Sequence, residues 1–263
     1  MHPWLIATDA LRVPTYVSMI AFGMAVATFV LRREARALGL PVRDVMEIAI
    51  VVLPGAWIGS RLGWAILDAP REVLLEDPLR LLYGGGYTFF GGVVFTVLLV
   101  TLASRRKGLD PARVLDAAGP SLAFGIGIGR LGCLGSGCCH GRPADFPFGV
   151  SAPWAVHYYT PGHIPEALRG VALHPSPLYE AWTGLLIYTA LVRWRQRLNP
   201  PPGELILGFF VLYGPMRALL EVFRGDLERA FVGTFSNAQL YGLATSALAL
   251  ALILWRRRTC TPS

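Results

Sequence analysis

Residues 125–145 read GIGIGRLGCLGSGCCHGRPAD, and this stretch decides how the rest of the chain is read. It opens as an apolar, glycine-spaced segment suited to a bilayer interior, then places Arg130, Cys133, Cys138, Cys139 and His140 close together. Hydrocarbon accepts such groups at a cost, at least about 2.5 kcal/mol for an arginine at membrane depth. Arg130 is therefore expected to face protein or a wet cavity and to have an anionic partner. The glycines let the backbone turn and bring N–H groups close to a ligand. Together these features imply a pocket for an anionic head group near a membrane surface.

The composition around this stretch agrees. The chain has 263 residues, 54% of them hydrophobic, and a mean hydropathy of +0.49. That is the profile of a polytopic membrane protein rather than of a soluble domain. The net charge of +7 comes mainly from arginines clustered at the ends of apolar runs, so it reads as membrane topology and not as a nucleic-acid footprint. No basic region precedes the first apolar run, so the first helix is expected to be retained rather than cleaved.

Seven apolar segments, near 15–31, 45–67, 89–104, 114–132, 177–192, 204–223 and 238–255, are each long enough to cross about 30 Å of hydrocarbon. The expectation is an all-α, polytopic integral membrane protein with seven transmembrane helices and one domain over residues 1–263. The connections 32–44 (RREARALGLPVRD), 104–113 (SRRKGLDPAR) and 193–203 (RWRQRLNPPPG), with the final WRRR at 255–258, hold most of the 24 basic residues. The positive-inside rule places them, and the C-terminus, in the cytoplasm, with the N-terminus outside. Two longer pieces then lie outside: 68–88, read as a surface turn with a glycine-rich hinge, and 133–176, read as a small periplasmic cap. The cap is too rich in aromatics for a disordered tether.

Arg61, Arg130 and Arg217 fall inside the apolar segments, with Glu47, Asp116, Glu180 and Glu221 at similar depth. Such charges either pair across helices to hold the bundle or serve a site. In YGPMRALLEVFRGD (213–226), Arg217 and Glu221 are four apart and share a helical face, and Arg224 extends that face into a cationic ladder suited to a lipid phosphate. In HPSPLYE (174–180), Ser176 is expected to cap a helix with Pro177 at its first position, leaving Tyr179 and Glu180 to orient an arginine. The C-x4-C-C-H pattern admits several readings. It lacks the paired C-x2-C spacing of most zinc sites. A neighbouring arginine and histidine would make a thiol reactive, small buried cysteines with a loop disulfide would also explain it, and a direct role in a transfer reaction is the remaining reading. No metal or cofactor is expected.

Several motifs together resemble the bacterial prolipoprotein diacylglyceryl transferases. They are PTYVSM around Tyr16, GSRLGW around Arg61, GGGYTFFGG, Asp116, GIGIGRLG with Arg130, the Gly141–Arg142 pair, HPSPLYE and YGPMRALLEVFR. The resemblance implies seven helices in the bacterial inner membrane and transfer of a diacylglyceryl group from phosphatidylglycerol to the lipobox cysteine thiol of a prolipoprotein, releasing glycerol phosphate. It assigns Arg130 and Arg217 to the lipid head group and the developing phosphate charge. Glu221 then orients Arg217, Tyr16 and Asp116 line the site, and Arg61, Gly141, Arg142 and Glu180 bind substrate. Carbon–oxygen cleavage leaves a phosphate dianion, and preplaced guanidinium groups stabilise it as it forms.

The chain departs from the family pattern at Phe90, where a histidine is usual, at Cys133, an asparagine, and at Cys138, an acidic residue. Phenylalanine cannot take a proton, so deprotonation of the acceptor thiol is expected to pass to His140 or to a cysteine thiolate. Two other readings stay open: a lipid transferase with a different acceptor, and a non-enzymatic membrane protein handling thiol redox or metal.

Overall fold

A computed structural model describes residues 4–8, 12–67, 88–144, 154–159, 164–225, 231–232 and 235–259. Among these residues seven α-helices carry the architecture: α1 (Thr15–Ala37), α2 (Val42–Leu67), α3 (Phe89–Arg106), α4 (Pro111–Ser136), α5 (Ser176–Leu198), α6 (Glu204–Glu221) and α7 (Asn237–Thr259). Each apolar segment of the sequence forms one helix. Most run several residues beyond the apolar stretch, because the flanking Arg, Glu and Ala are good helix formers whether or not they sit in hydrocarbon. By length and composition α1, α2, α4 and α7 are each able to cross a membrane. Large apolar side chains remain outermost, with Phe29 68%, Ile66 79% and Leu248 62% exposed. A protein in water would hide such a surface, whereas lipid is a suitable solvent for it. The chain is an all-α membrane protein.

Two antiparallel hairpins, β1 (Trp4–Ala7) with β2 (Arg12–Pro14) and β3 (Phe231–Val232) with β4 (Phe235–Ser236), escaped the sequence reading. The hinge expected at 68–88 lies outside the described residues up to position 87.

Contacts divide the chain into two compact units, residues 32–115 and residues 1–31 with 116–263. In the first, α2 and α3 meet along a seam of small residues: a Cβ on Gly63 would lie 2.7 Å from the Cα of Gly91. Such seams let membrane helices approach closely enough to gain van der Waals contact where no hydrophobic force acts between them. Ser60 Oγ adds a hydrogen bond to the Thr88 carbonyl at 3.0 Å. At the basic end Lys107 pairs with Asp44 at 2.8 Å and Glu47 at 2.5 Å.

The second unit is built around α4, α5 and α6, whose Ala123, Ile187, Leu191 and Phe209 form a buried cluster. A Cβ on Gly184 of α5 would stand 2.9 Å from the Cα of Gly127 of α4, so these helices too cross on glycine. The α1 helix joins through the Ser121 hydroxyl, which donates to the Ala27 carbonyl at 2.7 Å. The α7 helix joins α6 through Ser246 Oγ to the Val211 carbonyl at 3.1 Å. Glu204, 1% exposed, receives Arg257 through Nε at 2.9 Å and Nη2 at 2.6 Å.

Two boundaries need correction. The α4 helix continues to Ser136, so Cys133 belongs to it and not to the segment read as a cap. Ser176 is the first residue of α5 and caps nothing: Pro175 occupies the N-cap position, and the Ser176 hydroxyl donates to the Cys139 carbonyl at 2.9 Å. The hydroxyl thereby serves a part-buried loop carbonyl that needs a donor.

Candidate active site

The loop that follows α4 is held in place through its backbone. Arg142 N donates to the Phe223 carbonyl at 3.0 Å, Gly225 N to the His140 carbonyl at 3.0 Å, and His174 N to the Arg142 carbonyl at 3.0 Å. The loop therefore lies between the end of α6 and the approach to α5. Gly141 is required at its centre, since a Cβ there would collide with the His174 carbonyl. Further on, Pro143 and Val156 both bridge to Leu173, and Tyr158, Ile164 and Leu173 bury a small core.

This clamp assembles charge. Arg130 near the end of α4 places Nε 2.7 Å from Glu180 Oε2, although that oxygen accepts no hydrogen bond; the contact is Coulombic. Arg224 approaches the other oxygen of Glu180 at 3.4 Å. One carboxylate, 4% exposed, thus faces two arginines from two helix ends. Arg217 pairs with Glu221 one turn along α6. Tyr213, one turn before Arg217, shares the α6 face that carries Arg217 and Glu221 and lies within electrostatic range of Arg130. Each guanidinium carries five donors, and a single carboxylate leaves several of them for a ligand. Below Arg130, an apolar groove of about 260 Å³ runs between α4 and α5, lined by Ile128, Leu131, Ala181, Trp182 and Leu185 with Gly127 as a bare patch.

The thiols converge as well. The sulfurs of Cys133, Cys138 and Cys139 lie within 4.8 Å of one another, although the motif lacks the paired spacing of most zinc sites. Neighbouring residues normally point apart. Here Gly137 at φ 77° and Cys139 at φ 55° turn the backbone through left-handed conformations, and Cys139 does so despite its Cβ. Cys139 Sγ accepts from Arg130 Nη1 at 3.6 Å, and Ser136 Oγ lies 3.1 Å from Cys138 Sγ. Hydrogen bonds from Cys133 and then Cys138, followed by the charges of Arg224 and Arg130, hold the Cys139 thiol well below the ordinary thiol range.

A family profile described as Prolipoprotein diacylglyceryl transferase matches residues 3–255. The chain belongs to that family. Among its relatives, the phosphatidylglycerol–prolipoprotein diacylglyceryl transferase of Clostridium tetani is 29% identical over 250 residues, covering 95% of this chain and 96% of its own. The protein of the same name from Geobacter sulfurreducens is 31% identical over 252 residues, covering 92% and 91%. That from Chromohalobacter salexigens is 30% identical over 265 residues, covering 98% and 93%.

Within this family member, the structure gathers Arg130, Glu180, Arg217, Glu221, Arg224 and the three cysteines at one end of the α4–α5–α6 group. Tyr16 joins them through its backbone, 3.3 Å from a Cβ placed on Gly132. His140 is buried, with Nδ1 3.1 Å from the Gly141 carbonyl; a carbonyl only accepts, so Nδ1 is the donor of that contact. Arg142 is held by its backbone while its side chain is exposed.

Asp116 is not gathered there. Its carboxylate accepts from Gly203 N at 2.6 Å and Ile206 N at 3.0 Å, capping the start of α6, roughly 15–20 Å along the helix from Arg217. The attraction of a carboxylate for a helix N-terminus accounts for that placement. Arg61 belongs to the 32–115 unit, 2% exposed, its guanidinium 5.1 Å from the centre of the Trp64 ring. Phe90 lies in the first turn of α3, with its side chain outside the described residues.

Sequence reading missed Tyr213 and Tyr158. Tyr213 announces itself only by standing four residues before Arg217. Tyr158 had no local signal: it is 3% exposed, its ring lies against Gly137, and burial pushes its hydroxyl up to about 12.

Proposed function

We propose that this chain transfers the diacylglyceryl group of phosphatidylglycerol to the lipobox cysteine thiol of a prolipoprotein, releasing glycerol phosphate. The observation that carries this reading is Arg130, set by Glu180 at the head of an apolar groove and 22% exposed, together with Arg217 on the facing surface of α6. The acyl chains occupy the groove and the phosphate takes the free donors of the two guanidinium groups. The acceptor sulfur attacks the glycerol carbon, the carbon–oxygen bond breaks toward phosphate, and the phosphate leaves with the electron pair as a dianion next to two fixed cations. Glu221 orients Arg217, Glu180 orients Arg130, and Tyr16 closes the site beside Gly132. Arg142 contributes a substrate contact and Gly141 the clearance for the clamped loop; Asp116 acts at a distance by fixing the start of α6.

The chain works as one domain of seven spans in the bacterial inner membrane, with the N-terminus outside, the C-terminus cytoplasmic and the loops after α4 forming an outward cap. Phosphatidylglycerol enters laterally and the prolipoprotein arrives at the outer leaflet. In the absence of the family histidine, His140 Nε2 or the thiol cluster takes the acceptor proton. Purified protein given labelled phosphatidylglycerol and a lipobox peptide is expected to release glycerol phosphate. Release with a different acceptor only would move the reading to another lipid transferase. If both His140→Ala and Cys139→Ala retain full rate, neither group has replaced the family base.

A further inference from the structure

Cys133, Cys138 and Cys139 present three sulfurs within 4.8 Å of one another, beside the arginine assigned to the lipid phosphate. We propose that they bind one thiophilic divalent cation, Zn²⁺ in class, with a fourth position open to the acceptor thiol. This inference rests on the transferase reading and names the group that prepares its nucleophile.

Zinc–sulfur bonds of about 2.3 Å place tetrahedral ligands roughly 3.8 Å apart, so the sulfurs need to close by no more than about 1 Å, within the reach of side-chain rotation. Three protein ligands and an open fourth position are the arrangement of catalytic rather than structural zinc. Burial is uneven in the same sense: Cys133 is buried at 6%, while Cys138 and Cys139 are part-exposed, so an ion here is open on one side. Three thiolates carry more negative charge than the ion neutralises, and Arg130, 3.6 Å from Cys139 Sγ, offsets the excess. Ser136 Oγ, 3.1 Å from Cys138 Sγ, supplies the kind of outer hydrogen bond that orients a metal-bound sulfur. The buried Tyr158 hydroxyl has no hydrogen-bond partner among the described residues and lies within electrostatic range of all three thiols. An orphaned polar group beside a cluster of this kind calls for an unplaced partner.

The chemistry closes without a histidine at position 90. A thiol that coordinates the ion loses its proton outright. The bound acceptor sulfur then forms its bond to the glycerol carbon while the carbon–oxygen bond breaks and phosphate departs with the electron pair toward Arg130 and Arg217. The thioether product is a weaker ligand and leaves. The balance is one thiol and one phosphatidylglycerol converted to one thioether, one glycerol phosphate dianion and one proton; nothing is oxidised or reduced.

The test uses the full chain in detergent with Cys260→Ser, so that the three clustered cysteines are the only thiols. Titration with Co²⁺, a spectroscopic stand-in for Zn²⁺, is expected to give one ion per chain with thiolate-to-cobalt charge-transfer absorption. That spectrum changes when a lipobox peptide bearing cysteine is added and stays still with the serine peptide. Cys138→Ser weakens ion binding by about 10–100-fold or more, and the titration of the unsubstituted cluster decides the matter if that variant does not fold. A cluster that gives no thiolate band, that is isolated as a disulfide, or whose spectrum ignores the peptide thiol overturns the proposal. Glycerol phosphate release unchanged by chelation also overturns it while leaving the transferase reading intact. Ion and peptide thiol bound with no lipid turnover supports the site and removes the transferase reading.

Discussion

Arg217 and Arg130 are paired with carboxylates and still have work to do, because a carboxylate engages at most two of the five donors on a guanidinium. On the proposed mechanism Arg217→Ala removes a charge from beside the departing phosphate, and the expected loss is about 10²–10³-fold in kcat, read in the glycerol phosphate assay. Arg217→Lys is expected to recover little, since a point charge cannot reproduce the fork that faces both Glu221 and a phosphate. Glu180 differs because it serves two cations. Glu180→Ala leaves Arg130 and Arg224 facing each other without their shared anion, so activity and Tm fall together, with Tm read by thermal unfolding in detergent. His174 gives a pH dependence: burial, and then the charge of Arg142, lower its pKa. Between that lowered value and the ordinary one near 6.5 the unfolded chain holds a proton that the folded chain refuses. Its contribution to stability is thus complete above about pH 6.5 and is lost as pH falls toward the folded value. Tm measured over that range is expected to drop on acidification, and His174→Asn to flatten the drop.

At the scale of helices, the sequence was most readable where hydrocarbon imposes a length: all seven apolar segments became helices because a long apolar run satisfies its backbone internally in only one way. Their pairing was less readable. The α4–α5 crossing depends on Gly127 and Gly184, and nothing in either segment alone tells a contact glycine from a flexible one. Gly184→Leu would drive a side chain into the Ala123 carbonyl and the Gly127 backbone, so it is expected to lower the yield of folded protein, measured by size-exclusion chromatography, more than Gly39→Ala. Gly39 has open space around it and suffers only from its φ of 67°. The Arg217–Glu221 pair was legible because a four-residue spacing fixes a face. The Arg130–Glu180–Arg224 group was not, since it joins residues up to 94 positions apart in the numbering of its members through a loop clamp made of backbone hydrogen bonds, and these leave no compositional trace. The same clamp explains the error at Ser176, whose hydroxyl was given to the nearest helix end; the left-handed turn at Cys139 that helps gather the three thiols cannot be read from residue types either.

For the whole molecule, charge asymmetry is the surviving argument for orientation. The basic ends of α1, α3, α5 and α7 carry Arg36, Arg105 with Arg106, Arg195 with Arg197, and Arg256 to Arg258 in their last turns. If all seven helices cross, these four ends share one side of the bilayer, and the positive-inside rule makes that side cytoplasmic. The Arg130–Glu180–Arg224 group sits at the opposite ends of α5 and α6, which the proposed orientation turns toward the outer leaflet. An alkaline phosphatase fused after Ser263 is accordingly expected to be inactive and a fluorescent protein at the same place to fluoresce. Phosphatase fused within the stretch between α4 and α5 is expected to be active. The reverse pattern would place the arginine site on the cytoplasmic side, out of reach of a translocated prolipoprotein, and would remove the acceptor assignment even if lipid binding survived.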